Sequence, residues 1–130
     1  MSQEVHMKLE ELTVYNLSMD LGEQVWKIVL EWEKLSKETI GKQLIRSVDS
    51  VAANISEGFG RYHYSESNHF NYYARGSLYE TKTWLTKAYN RNLIDDNQFN
   101  MFINEINNLG VKLNNYIKSI GKQKQLKTTE

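Results

Sequence analysis

Apolar residues recur along this chain at helical spacing in four stretches, separated by short polar breaks. The first runs from about Leu12 to Leu35. Steps of about 100° gather Leu17, Leu21, Val25, Ile28, Val29 and Trp32 into one stripe. Tyr15, Met19, Trp26 and Leu30 form a second apolar group beside it. Only Asn16, Asp20, Glu23, Gln24, Lys27 and Glu31 remain as a narrow wet face. One seat in a four-helix bundle does not use that much apolar cover.

The second stretch, from about Lys37 to Gly58, lines up Ile40, Leu44, Val48, Val51, Ala52 and Ile55. Arg46, Asp49, Ser50, Ala53 and Glu57 lie on its other side. Gly58 and Gly60 are placed to end it, because glycine accepts the left-handed conformation that terminates helices. The third opens with Ser65 as N-cap and continues to about Arg91. Its expected core stripe is Phe70, Tyr73, Ala74, Ser77, Leu78, Thr81, Trp84, Leu85 and Ala88. Tyr72, Gly76, Tyr79 and Thr83 make a second patch facing away. A glycine inside a helix costs roughly 1 kcal/mol against alanine, so Gly76 predicts a close backbone approach.

The fourth stretch starts at Asp95 or Asp96, either of which is a capping residue. It keeps Phe99, Phe102, Ile103, Ile106, Leu109, Leu113, Tyr116, Ile117 and Ile120 on one side. Asn104, Asn107, Asn108, Asn114 and Asn115 occupy the solvated side, and Gly121 is expected to end the helix. The organisation read from this pattern is a flexible segment at residues 1–11, a helical bundle at 12–121 and a disordered basic tail at 122–130. The fold class is all-α, and short connections favour an up-down-up-down antiparallel four-helix bundle. The surplus apolar residues on helices one and three (Tyr15, Met19, Trp26, Leu30, Tyr72, Gly76 and Tyr79) predict a subunit interface. Such patches mark partner surfaces, and symmetric self-association is the commonest case.

Composition sharpens this picture. The 130 residues include no proline, which suits a chain helical nearly throughout. They include no cysteine, which excludes disulfides, thiolate zinc sites and thiol nucleophiles. No apolar run reaches the roughly 18 residues of a membrane span, and the first eleven residues are too polar for a signal peptide, so a cytoplasmic protein is expected. Sixteen basic residues balance sixteen acidic ones. That balance argues against an overall basic nucleic-acid-binding domain while leaving room for a local patch.

Two segments resemble a known family. Leu12-Thr13-Val14-Tyr15-Asn16-Leu17-Ser18 looks like the opening of the bacterial four-helix bundle proteins encoded in 23S ribosomal RNA intervening sequences. The stretch from Arg46 to Arg61, with Ala52-Ala53-Asn54-Ile55-Ser56-Glu57-Gly58 at its heart, resembles that family's most recognisable motif. Ala74-Arg75-Gly76-Ser77-Leu78-Tyr79-Glu80-Thr81 resembles its second. Where the family often has proline in the middle of helix two, this chain has Val51 or its neighbours, which predicts a straighter helix. The resemblance covers about residues 8–121. It implies a four-helix bundle assembling into a homopentameric ring, no enzymatic activity and a setting that points to RNA or a ribonucleoprotein. The accessory variability proteins of diversity-generating retroelements are similar and work with nucleic acid. They are strongly basic, however, and this chain is neutral.

The polar residues Arg46, Asn54, Glu57, Arg61, Arg75 and Glu80 fall within the two motifs. Such a set could grip a phosphate or carboxylate through forked arginine donors. It could equally tie helix two to helix three, with Arg75 and Glu57 as an ion pair. The nearly even match of acids and bases favours the structural role. Tyr62, His63, Tyr64, His69, Tyr72 and Tyr73, with Arg61, have the composition of a base-stacking platform, or of a loop packed over the bundle end. The basic tail offers phosphate contacts or simple solubility.

His63 and His69 stand six apart and do not fit a helical metal pair. Gly58-Phe59-Gly60 follows no strand and is not a nucleotide loop. No carboxylate has a nucleophile or base arranged around it by spacing. The expectation is a self-assembling interaction protein with no cofactor, no metal and no catalytic residue. Its alternative is a nucleic-acid-binding accessory protein.

Overall fold

The computed structural model describes residues 7–129, with side chains described as far as residue 123. Residues 1–6 and 130, part of the expected flexible segment and tail, lie outside the described residues. After a 3₁₀ turn at Leu9–Glu11, helix α1 spans Thr13–Leu30. Helix α2 is one continuous run built from Lys34–Ser36, a π-helical stretch Lys37–Gly41 and an α-helical part Lys42–Phe59. Helix α3 spans Tyr64–Asn90 and α4 spans Asp96–Thr129.

Short connections at residues 31–33, 60–63 and 91–95 turn the chain back each time. Consecutive helices pack on one another, and α1 also meets α4, which closes an antiparallel four-helix bundle. The core is the union of the four stripes. Leu21, Val25 and Val29 of α1, Leu44, Val48, Val51 and Ile55 of α2, Leu78 and Leu85 of α3, and Phe102, Leu109 and Leu113 of α4 join in one buried cluster. Burying each such side chain contributes roughly 1.5–3 kcal/mol, so the stripes decide which faces turn inward.

Several boundaries differ from the sequence reading. Helix α1 stops at Leu30, five residues early. Trp32, in the connection, folds back into the core, while Leu35 is left exposed. His63, not Ser65, is the N-cap of α3. Neither Gly58 nor Gly60 takes a left-handed conformation, and Gly60 keeps right-handed helical angles. Gly58 is needed for another reason, because α3 crosses α2 there. A Cβ at residue 58 would lie 2.7 Å from the Ser67 carbonyl oxygen.

Among the described residues, Asn92 is the left-handed one (φ 60°). The Leu93 amide donates to the Ala88 carbonyl and the Asn92 amide to the Tyr89 carbonyl, the bonding pattern of a Schellman cap. Helix α4 begins with a reciprocal cap: the Gln98 amide donates to Asp95 Oδ1, and the Asp95 amide donates to Gln98 Oε1. Gly121 does not end α4, whose backbone stays helical to Thr129. At ~1.5 Å per residue its 34 residues extend about 51 Å, against about 27 Å for the 18 of α1.

The seam between α2 and α3 is polar at its centre. Thr81 Oγ1 lies 3.1 Å from Ser47 Oγ, and the Ser50 hydroxyl donates to Ser77 Oγ at 2.6 Å. Ser50, expected on the outer side of α2, therefore turns toward α3. Past Val51, α2 stays α-helical without interruption to Phe59.

Candidate functional site

The six polar residues of the two motifs do not form one cluster. Asn54 turns back on its own helix and donates to the Ser50 carbonyl at 2.8 Å. Glu57 pairs with Arg61 one turn on, and the Arg61 guanidinium lies 4.7 Å from the centre of the Phe70 ring. Arg75 reaches the opposite side of α3, donating to Asn114 Oδ1 on α4 at 3.0 Å and covering the Tyr72 ring at 4.9 Å. Glu80 accepts from Trp84 Nε1 at 3.0 Å. Arg46 stands exposed on α2.

The expected Arg75–Glu57 ion pair is therefore absent. Each residue has a nearer partner, and α3 turns Arg75 toward α4 while Glu57 stays on α2. The tie between α2 and α3 is made instead by the hydroxyls of Ser47, Ser50, Ser77 and Thr81. The signal for them was present as small polar residues interrupting two apolar stripes at helical spacing.

The aromatic group is also split. His69 Nε2 and the Tyr73 hydroxyl are 2.8 Å apart, with Phe70 edge-on to both rings. Tyr73, expected in the core, is half exposed. Its seat is taken by Asn71, which is fully buried and donates to Asn68 Oδ1 at 3.1 Å, while its own Oδ1 has no partner among the described residues. Asn68 in turn donates to the Ile117 carbonyl at 3.0 Å, tying α3 to α4. Tyr72 belongs with Arg75, and Tyr62 projects from the α2–α3 connection.

The candidate interface residues lie where a second surface could reach them. Met19, Trp26 and Leu30 are exposed along α1, and Tyr72, Gly76 and Tyr79 along α3. Tyr15 is half-buried against the core. Among the described residues nothing comes within 4 Å of a Cβ built on Gly76, so the close approach it predicts does not occur among them inside one copy.

Two shallow grooves accompany these patches. One, between α1 and α2, contains Glu23 and Asp49. Burial at the groove wall, and then the Glu23 charge, push the Asp49 carboxyl above its usual range. The other, between α3 and α4, contains Arg75 and Lys82. Elsewhere, the Tyr89 phenol is raised by its hydrogen bond to Asp96, and burial raises Tyr116. Among the described residues no three His, Asp or Glu side chains gather as metal ligands, and no helix is long and apolar enough to cross a membrane.

Comparison with known proteins agrees with this architecture. Comparison with curated proteins finds no match. Among solved structures, the chain is similar to a protein of unknown function of the S23 ribosomal protein family from Bacteroides thetaiotaomicron VPI-5482. The two share a TM-score of 0.73 and 22% sequence identity, over 82% of this chain and 96% of that one. That identity speaks for the fold alone. The sequence pattern of the 23S rRNA-intervening sequence proteins matches residues 10–115. Spanning most of the bundle and both motifs, that match shows that the chain belongs to the 23S rRNA-intervening sequence protein family.

Proposed function

We propose that this protein is a non-enzymatic interaction module that works as a homo-oligomer, closed into a ring of about five copies as the family resemblance implies. One observation carries the reading. Large apolar side chains stand in the open on two separate helices, with Met19, Trp26 and Leu30 at 42%, 48% and 47% exposure and Tyr72 and Tyr79 at 50% and 66%. Grouped exposure of this kind is unusual for a monomer and ordinary for a surface that a partner covers. The unfilled space around Gly76 supports the same reading, because a helical glycine without a neighbour in its own chain costs stability for no internal return.

The family's link to 23S rRNA intervening sequences makes RNA or a ribonucleoprotein the first external partner to test, in the cytoplasm. The experiment is size-exclusion chromatography with light scattering at micromolar concentration, with and without short RNA strands. A mass of several copies is expected, and Trp26→Glu is expected to lower it. A monomeric parent overturns the assembly, and an unchanged mass for the variant overturns the placement of the interface on α1.

A further inference from the structure

The two grooves lie on opposite sides of the bundle, because α1 and α2 flank one and α3 and α4 the other in the cyclic order of packing. Each carries a single sign of charge. The α1–α2 groove, about 380 Å³, is lined by Tyr15, Met19, Glu23, Asp49 and small residues, with two carboxylates and no cation. The α3–α4 groove, about 280 Å³, is lined by Arg75, Tyr79, Lys82, Gly110 and Val111 among others, with two cations and no carboxylate. Each groove is edged by exposed apolar residues, Met19 at the first, Tyr79 and Val111 at the second. Among the described residues the one ion pair is Arg61–Glu57, so all four groove charges stand without a partner of opposite sign.

We propose that the α1–α2 groove of one copy receives the α3–α4 face of a second copy, with Arg75 and Lys82 meeting Glu23 and Asp49. This rests on the self-assembly reading above and specifies its geometry. Contact between two like grooves would set carboxylate on carboxylate or cation on cation, which opposes association. Contact between unlike grooves satisfies both charges and covers both apolar rims. It is head-to-tail, so an open chain of copies keeps one free groove of each kind, at its two ends, until a ring closes. The raised Asp49 carboxyl is consistent with a site built for an incoming cation, since its isolated environment disfavours the charge it carries. A polyanion would fit only the basic groove and would leave the acidic one unexplained.

Charge reversal tests the proposal on the full chain. Glu23→Lys and Lys82→Glu each replace a surface helical residue by another good helix former, so the circular dichroism of each variant should match that of the parent. Each single variant is expected to raise the dissociation constant of the assembly by about tenfold or more. Both changes in one chain are expected to bring it back to within about threefold of the parent. On the unaltered chain, raising salt from about 50 to about 500 mM should also loosen the assembly.

A parent that assembles but is indifferent to both single reversals and to salt overturns this docking while leaving self-assembly intact. A double variant that is folded and not rescued does the same. A monomeric parent overturns the underlying reading as well. If single-stranded RNA binds the parent at low salt and Lys82→Glu abolishes that binding without changing the mass, the basic groove belongs to nucleic acid and the proposal falls.

Discussion

The Thr81 hydroxyl lies 3.1 Å from Ser47 Oγ across the α2–α3 seam, and both side chains are buried. Thr81 Oγ1 is also 2.8 Å from the Ser77 carbonyl, and Ser47 donates to the Leu44 carbonyl at 3.0 Å, so the pair sits in a small buried network. Thr81→Val removes the shared donor and is expected to cost about 1 kcal/mol in urea unfolding. Ser47→Ala combined with Thr81→Val removes both partners and should cost less than the two single changes added together. Strict additivity would mean that the hydroxyls do not interact.

At Gly58 the backbones of α2 and α3 approach closely. A Cβ there would press on the Ser67 carbonyl at 2.7 Å and on Phe70 Cβ at 3.1 Å. Gly58→Ala is expected to destabilise the fold by about 1–3 kcal/mol, because the obstacle is backbone that cannot swing aside. An unfolding midpoint at or above the parent's would show that the crossing relaxes freely.

Gly76 predicts the opposite. With nothing within 4 Å of a Cβ, Gly76→Ala should raise the stability of the isolated chain by up to about 1 kcal/mol through helix propensity. The same change should weaken assembly if the open space receives a neighbouring copy. Thermal unfolding of the dilute chain and light scattering at higher concentration separate the two effects. A gain in both measurements removes Gly76 from the interface.

Asp49 gives a pH signature. Its folded carboxyl is raised by burial and by Glu23, so ionisation is easier in the unfolded chain. The resulting cost is absent below the ordinary aspartate value of 3.8, and it develops as pH rises through the folded value. Asp49→Asn should therefore raise the denaturation midpoint of the isolated chain at pH 7 and leave it unchanged near pH 3. The reverse trend would mean that a cation holds Asp49 within the single copy.

Much of the fold was legible because four stripes at helical spacing leave few ways to bury them. Leu44, Val48, Val51 and Ile55 on α2, and Phe102, Leu109 and Leu113 on α4, took the seats that periodicity assigned. Errors gathered where periodicity says little about chain direction or polar pairing. Asn71 displaced Tyr73 from the core because a small buried amide can bond to its neighbour Asn68, whereas a phenol of that size reaches solvent. Arg75 and Glu57 share a motif region, but helix geometry aims them at different neighbours. Asn92, not glycine, supplies the left-handed cap, because asparagine also tolerates that conformation. The opposed charges of the two grooves depend on which helices adjoin, and composition reported only their sum.

The π-helical stretch Lys37–Gly41 has a consequence for how this chain can change length. A π turn holds one residue more than the α turn it replaces. Deleting one residue from the middle of α2 would rotate everything beyond it by about 100° and pull Val51 and Ile55 off the core. Deleting one of the exposed residues Lys37, Glu38 or Thr39 is instead expected to let the wide turn close to an ordinary one while Ile40, Leu44 and all that follows keep their seats. A three-nucleotide, in-frame loss in the gene is thus expected to be absorbed here, where the helix carries a spare residue.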